Sequence, residues 1–275
     1  MKPVIIKNKE ILSRVYLCTK NFNKGISKEQ YINNITRDIN DTAVGYAGFS
    51  KKRNLKEFLF YQVFDNDDSL PKTHQRKIPD KDVLKIIEKT LNTVKQILPS
   101  RQTRIYVFSS FSTFTKQKMG GTSGYTPWKD VMLIFIDPTT DWKKSLSKTI
   151  AHEYIHTLSR QHHKWDTLED SLIFEGLAEN FVQHVFKEEL SPWSSALSLN
   201  DSKKYFKKIQ NKLSSTDWSL YREVFFKNSN YPLWTGYAIG YHLVREYMEK
   251  QNEFSWQKLI EIKPSKITRG SNFTK

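Results

Sequence analysis

Ala151-His152-Glu153-Tyr154-Ile155-His156 carries the form H-E-x-x-H. It sits in a segment, 145–160, whose apolar residues recur at helical spacing, so a helix is predicted there. One turn separates His152 from His156, and both imidazoles leave the same face, where they can grip one ion. Neutral imidazole nitrogen is a good zinc ligand, and Glu153, one step round the helix, is placed to take a proton from a metal-bound water. A chance H-E-x-x-H on a buried helix is the rival reading, so the motif needs a third ligand in the right place.

The rest of the 275-residue chain is long enough for a substantial core and one or two domains. Hydrophobic content of 38% and aromatic content of 13% are those of a folded protein and exclude a disordered one. Cys18 is the single cysteine, which rules out an internal disulfide and a cysteine-based zinc site. The apolar run near the N-terminus is too short for a signal-peptide core, and no stretch approaches the roughly 18 apolar residues that span a bilayer. A soluble, cytoplasmic protein is expected. The net charge of +15 is uneven, because residues 141–200 hold 6 Lys and Arg against 9 Asp and Glu, a net of −3. Elsewhere the lysines are scattered among Asn, Ser and Asp, with no recognition-helix or RNP pattern, so a solvated surface is expected and no specific nucleic-acid partner. Nothing in the chain speaks to its oligomeric state.

Taken in order, residues 1–100 read as mainly helical. Tyr31, Ile32, Ile35 and Ile39 share one face over 28–39, and 55–64 is dense in aromatics and open to helix or strand. Polar 65–79 reads as a loop. Val83, Ile87, Leu91, Val94 and Leu98 make a single stripe that Pro99 stops. Strand composition then appears at 104–111 and 131–137. Between them, Met119-Gly120-Gly121-Thr122-Ser123-Gly124-Tyr125-Thr126 suits either an ordinary hairpin connection or a substrate-facing edge, with Gly121, Thr122, Ser123 and Gly124 as candidate substrate contacts. His162 and His163 fall in a connecting loop and are expected in solvent, as are His74 and His184.

A second strong helix is predicted over 167–190. Glu175 and Glu179 lie one turn apart on it among Leu172, Ile173, Phe174, Leu177, Ala178, Phe181 and Val182. A salt-bridged or half-exposed glutamate is the ordinary reading of either alone. Two carboxylates on a mostly apolar helix are costly to bury unless something positive meets them. One zinc ion on two neutral histidines is such a partner; Glu175 as third ligand leaves a net charge of about +1 and a fourth position for water.

H-E-x-x-H, eighteen intervening residues and then E-G-x-A-E resembles the gluzincin zinc peptidases. The resemblance implies that Glu175 is the third ligand and that Glu179 accepts from the free ring nitrogen of His152, a role that metal-bound imidazole generally needs filled. The sequence departs at Phe174, where many gluzincins carry Asn, which leaves the group that orients His156 unassigned. The glycine-rich segment, the strand after it, Thr149-Ile150-Ala151-His152-Glu153 and Glu175-Gly176-Leu177-Ala178-Glu179, in that order, are similar to the bacterial YjaZ-type family of predicted zinc-dependent proteases over about 80–245. Gluzincins also place an oxyanion donor some sixty-odd residues after the ligand glutamate, and Tyr237, Tyr241 and His242 all fall there, although core tyrosines at this spacing are common.

The expectation is therefore an α+β, helix-rich chain. It would comprise a mainly helical region over 1–100, a zincin-like domain over 101–255 with a small mixed sheet over the active-site helix and a helical C-terminal lobe, and a short helix with a fraying basic tail over 256–275. The implied activity is peptide-bond hydrolysis of a peptide or protein substrate with one zinc per chain and Glu153 as general base. A zincin-fold regulatory protein with little turnover is the alternative.

Overall fold

The computed structural model describes residues 2–8, 11–20, 22, 25–39, 54–65, 77–100, 102–226 and 230–273. The chain divides into two compact units, the first ending at Thr157 and the second running from Leu158 onward. His74 and most of the expected 65–79 loop lie outside the described residues.

The first unit is organised on one mixed sheet of five strands: β1 (Val4–Asn8), β2 (Ile11–Cys18), β3 (Arg104–Ser109), β4 (Thr122–Trp128) and β5 (Val131–Ile136). Their spatial order is β1-β2-β3-β5-β4. The three inner strands run parallel, in a register that aligns Val15 with Ile105 and Ile105 with Met132, while β1 and β4 are antiparallel edges. All six residues of β5 are buried, as expected of a central strand covered on both faces. Alternation sends Cys18, Tyr106, Phe108, Leu133 and Phe135 to one face. They pack there with Tyr31, Ile32 and Ile35 of α1 (Lys28–Thr36) and Phe58, Leu59, Val63 and Phe64 of α2 (Leu55–Phe64). Each such side chain removed from water contributes about 1.5–3 kcal/mol.

The opposite face meets α3 (Asp80–Ile97) and the first part of α5 (Trp142–His162). Lys95 Nζ of α3 donates to Ser13 Oγ at 2.9 Å, and the Tyr154 hydroxyl of α5 donates to the Leu98 carbonyl at 2.5 Å. A short α4 (Thr113–Lys118), capped by Ser112, connects β3 to β4.

Two expectations change here. Residues 1–100, read as mainly helical, also hold β1 and β2, which pair antiparallel and join the sheet through β3. The 104–111 strand stops at Ser109, where Ser110 N donates to the Ile136 carbonyl and Ser112 then caps α4.

The second unit is helical. It holds α6 (Leu168–Phe186), α7 (Leu199–Ile209), α8 (Trp218–Phe225), α9 (Thr235–Glu249), α10 (Trp256–Glu261) and α11 (Pro264–Gly270). A capping box starts α6: Thr167 Oγ1 accepts from Asp170 N, and Asp170 returns a carboxylate oxygen to Thr167 N. Lys187 in the left-handed region ends it, three residues short of the expected Leu190. α6 and α9 cross at two glycines. A Cβ on Gly176 would stand 2.1 Å from the Gly240 carbonyl oxygen, and one on Gly240 would stand 2.1 Å from that of Leu172. Asn180 seals the crossing by donating to the carbonyls of Gly176 and Tyr241.

The tail expected to fray is helical where it is described, over Trp256–Glu261 and Pro264–Gly270. Pro264 opens α11, which packs on α6 and α9 with Ile267 and Phe273 buried. No described helix is long and apolar enough to cross a membrane.

Candidate metal centre

In the first unit, α5 carries His152, Glu153 and His156. The histidines' Nε2 atoms face one another at 3.0 Å with their rings nearly perpendicular. Two nitrogens at ordinary zinc–nitrogen distance on a tetrahedron stand roughly 3.3 Å apart, so the pair is already at ligating separation. Glu153 is buried, and β4 runs beside it. Thr126 Oγ1 lies 2.7 Å from Glu153 Oε2 and 3.0 Å from its carbonyl oxygen, and the position of a Cβ on Gly124 falls 2.4 Å from Glu153 Cγ.

The glycine-rich segment is thus an edge strand, and its residues are placed differently from one another. Gly121, with φ of +86°, turns the chain into β4, and an added Cβ would strike Thr140. Thr122 is buried, and its hydroxyl is 2.7 Å from that of Thr149 on α5, so its side chain docks the helix on the strand. Ser123 points to the other face, where its hydroxyl is 3.1 Å from that of Thr115.

In the second unit, Glu175 and Glu179 are buried on α6 at 4% and 3% exposure, so both carboxylates are held away from water. One oxygen of Glu179 accepts from two hydroxyls, that of Ser194 at 2.6 Å and that of Ser191. Both serines belong to the serine-rich stretch that follows α6, which carries no motif of its own. Phe174 stacks on Trp165 at 5.2 Å, so the position that departs from the gluzincin pattern is core. Tyr237 is buried, with Phe225 and Phe226 packed edge-on against its ring. Tyr241 donates its hydroxyl to Gln183 Oε1 at 2.7 Å, and burial raises its pKa. His242 Nε2 lies 3.2 Å from the Leu197 carbonyl, and burial lowers its pKa.

Among the other histidines, His162 and His184 are exposed as expected, whereas His163 is half-buried and its pKa is lowered by that burial. His152 and His156 of the first unit and Glu175 of the second are the residue types of a metal-binding donor set. The donor set, two imidazoles and a carboxylate, fits zinc and leaves a coordination position open.

Residues 83–269 match the family model described as "Predicted Zn-dependent protease (DUF2268)", a span that opens inside α3 and contains every residue of this centre. Two proteins of Bacillus subtilis (strain 168) are similar to the chain. "Uncharacterized protein YjfC" is 27% identical over 151 residues, 50% of each chain. "Uncharacterized protein YjaZ" is 30% identical over 138 residues, 48% of this chain and 52% of that protein. The chain spans about half the length of the curated relatives it matches.

Proposed function

The chain belongs to the DUF2268 family of predicted Zn-dependent proteases, and on that premise we propose that it is a zinc metallopeptidase with a gluzincin-type centre and a zincin-like catalytic domain. The observation that carries the reading is the His152–His156 pair at ligating separation with the buried Glu153 carboxylate on the same helix. His152, His156 and Glu175 would hold one zinc, and Glu179 would steady His152 through its ring nitrogen while Ser191 and Ser194 anchor the carboxylate. When bound, zinc supplies Lewis-acid polarisation of a carbonyl and a lowered pKa for water.

The rest of the work falls to this chain's side chains. Glu153 takes the proton of the attacking water and later hands it to the leaving amine, so its carboxylate ends each turnover as it began. Tyr237, opening the α9 helix some sixty residues after Glu175, is the favoured oxyanion donor. The substrate is a peptide or protein segment in extended form, laid along the β4 edge within Thr122–Gly124 by backbone hydrogen bonds; Gly121 falls outside that pairing, because its N–H donates to the Thr115 carbonyl and its own carbonyl accepts from Asp137 N.

The test is Glu153→Gln on purified protein with a mixture of quenched fluorescent peptides. It should keep wild-type zinc content and lose about 10²–10⁴-fold in kcat/KM. Equal turnover by wild type and variant would overturn the reading in favour of a binding protein.

A further inference from the structure

We propose that Thr126, with Gly124 beside it, is a positioning residue for Glu153; the inference rests on the metallopeptidase reading above. Glu153 is buried, and its carboxylate must be held in one rotamer to receive and return a proton at a fixed point. β4 supplies both restraints from two positions on one face. Gly124 leaves room for the side chain to lie across the strand: a Cβ there would fall 2.4 Å from Cγ, 2.7 Å from Cδ and 2.6 Å from Oε1. Thr126 then pins the far end. Its hydroxyl has one proton and two acceptors on Glu153, and the shorter contact, 2.7 Å, is to carboxylate Oε2 against 3.0 Å to the backbone carbonyl. A hydrogen bond to an ionised oxygen is the stronger of the two, so the proton lies towards Oε2.

The strand is shaped for this. Its pairing with β5 is regular from Thr122 to Tyr125 and slips before Trp128, so β4 carries an extra residue at Thr126–Pro127. Such bulges re-aim a side chain, and proline is tolerated there because it owes no hydrogen bond to a neighbour. The glycine-rich segment therefore does more than offer an edge to a peptide: it holds the base in place from the strand on which the substrate would lie. A misplacement of about 1 Å in a catalytic group costs on the order of 100-fold in rate, which sets the scale of the effect.

The experiment compares Thr126→Val, Thr126→Ser and Gly124→Ala on the zinc-loaded protein. Thr126→Val and Gly124→Ala should each lower kcat by roughly 10- to 100-fold, with KM within about twofold of wild type and zinc content unchanged. Thr126→Ser, which restores the hydroxyl, should come back to within about threefold of wild type. Wild-type kcat in Thr126→Val, or a serine variant no better than valine, overturns the proposal. A second arm reads the contact without turnover, as a double-mutant cycle of Thr126→Val and Glu153→Ala in urea unfolding of the same protein. Coupling of about fivefold or more in the unfolding constant supports the contact, and additive effects overturn it. Should the wild type cleave no peptide, the metallopeptidase reading fails, and the cycle still decides whether Thr126 holds Glu153.

Discussion

Replacing Gly176 by alanine sets two magnitudes against each other, and the structure says which wins. Glycine inside a helix costs about 1 kcal/mol relative to alanine, so at an open position the substitution would stabilise the protein. At the α6–α9 crossing the new methyl would stand 2.1 Å from the Gly240 carbonyl oxygen and 2.9 Å from Val244 Cγ2. An ordinary carbon–oxygen contact is about 3.3 Å, so the two backbones must part by roughly 1 Å. A gap of that size forfeits a quarter to a half of each neighbouring dispersion contact, and overpacking of this kind costs about 1–3 kcal/mol. Backbone is the obstacle, so no rotamer change relieves it, and the upper end of that range applies. The net expectation is a loss of about 2 kcal/mol, seen as a fall of roughly 4–8 °C in the unfolding midpoint by circular dichroism. Gly240→Ala strikes the same crossing from the other helix and should cost a similar amount. The double variant should lose less than the sum, because helices already parted by one methyl accommodate the second. An unchanged or raised midpoint in Gly176→Ala would refute the close crossing.

Other expectations follow from single contacts. Tyr241→Phe removes a hydroxyl committed to Gln183, so it should cost about 1 kcal/mol in stability and leave kcat/KM within about threefold of wild type. Tyr237→Phe should instead lower kcat/KM by about 10²–10³-fold, and peptide kinetics on the pair distinguishes the two roles. Burial depresses the pKa of His242, with Lys203 acting in the same direction and the Leu197 carbonyl and Glu246 opposing. The unfolded chain therefore binds this proton first as pH falls. The stability of the neutral imidazole is full above the ordinary histidine pKa of about 6.5 and is lost as pH drops towards the lower folded value. Urea midpoints between pH 7.5 and 5 should fall less steeply in His242→Gln than in wild type.

Much of this was legible in the chain, and the parts that were not share physical causes. The stripe from Val83 to Leu98 fits α3, and the unbroken Val131–Ile136 run fits a doubly covered strand, because burial on one face or two leaves a clear period. α2 was ambiguous because Phe58, Leu59, Phe60, Tyr61, Val63 and Phe64 are apolar on all sides, which erases the helical period. β1 and β2 escaped notice because both are partly exposed near the sheet edge and Lys7, Ser13 and Arg14 break their alternation; their pairing with β3 is a long-range fact. α11 is polar and seven residues long, and the burial of Ile267 and Phe273 decides it rather than its own propensity.

At the centre, Glu175 rests on charge and family resemblance, whereas the one-turn spacing of His152 and His156 was readable in the sequence, since a helix sets it without any knowledge of the fold. The serines on Glu179, the pinning of Glu153 by Thr126 and the engagement of Tyr241 by Gln183 were not. Each joins residues through chain folding, and none leaves a mark in local pattern.

Metal analysis of purified wild type beside His152→Ala and Glu175→Ala decides whether these residues hold zinc. The expectation is one zinc per chain in the wild type and its loss in both variants, each still folded by circular dichroism. Full zinc content in Glu175→Ala, or none in the wild type after purification with zinc present, would contradict it.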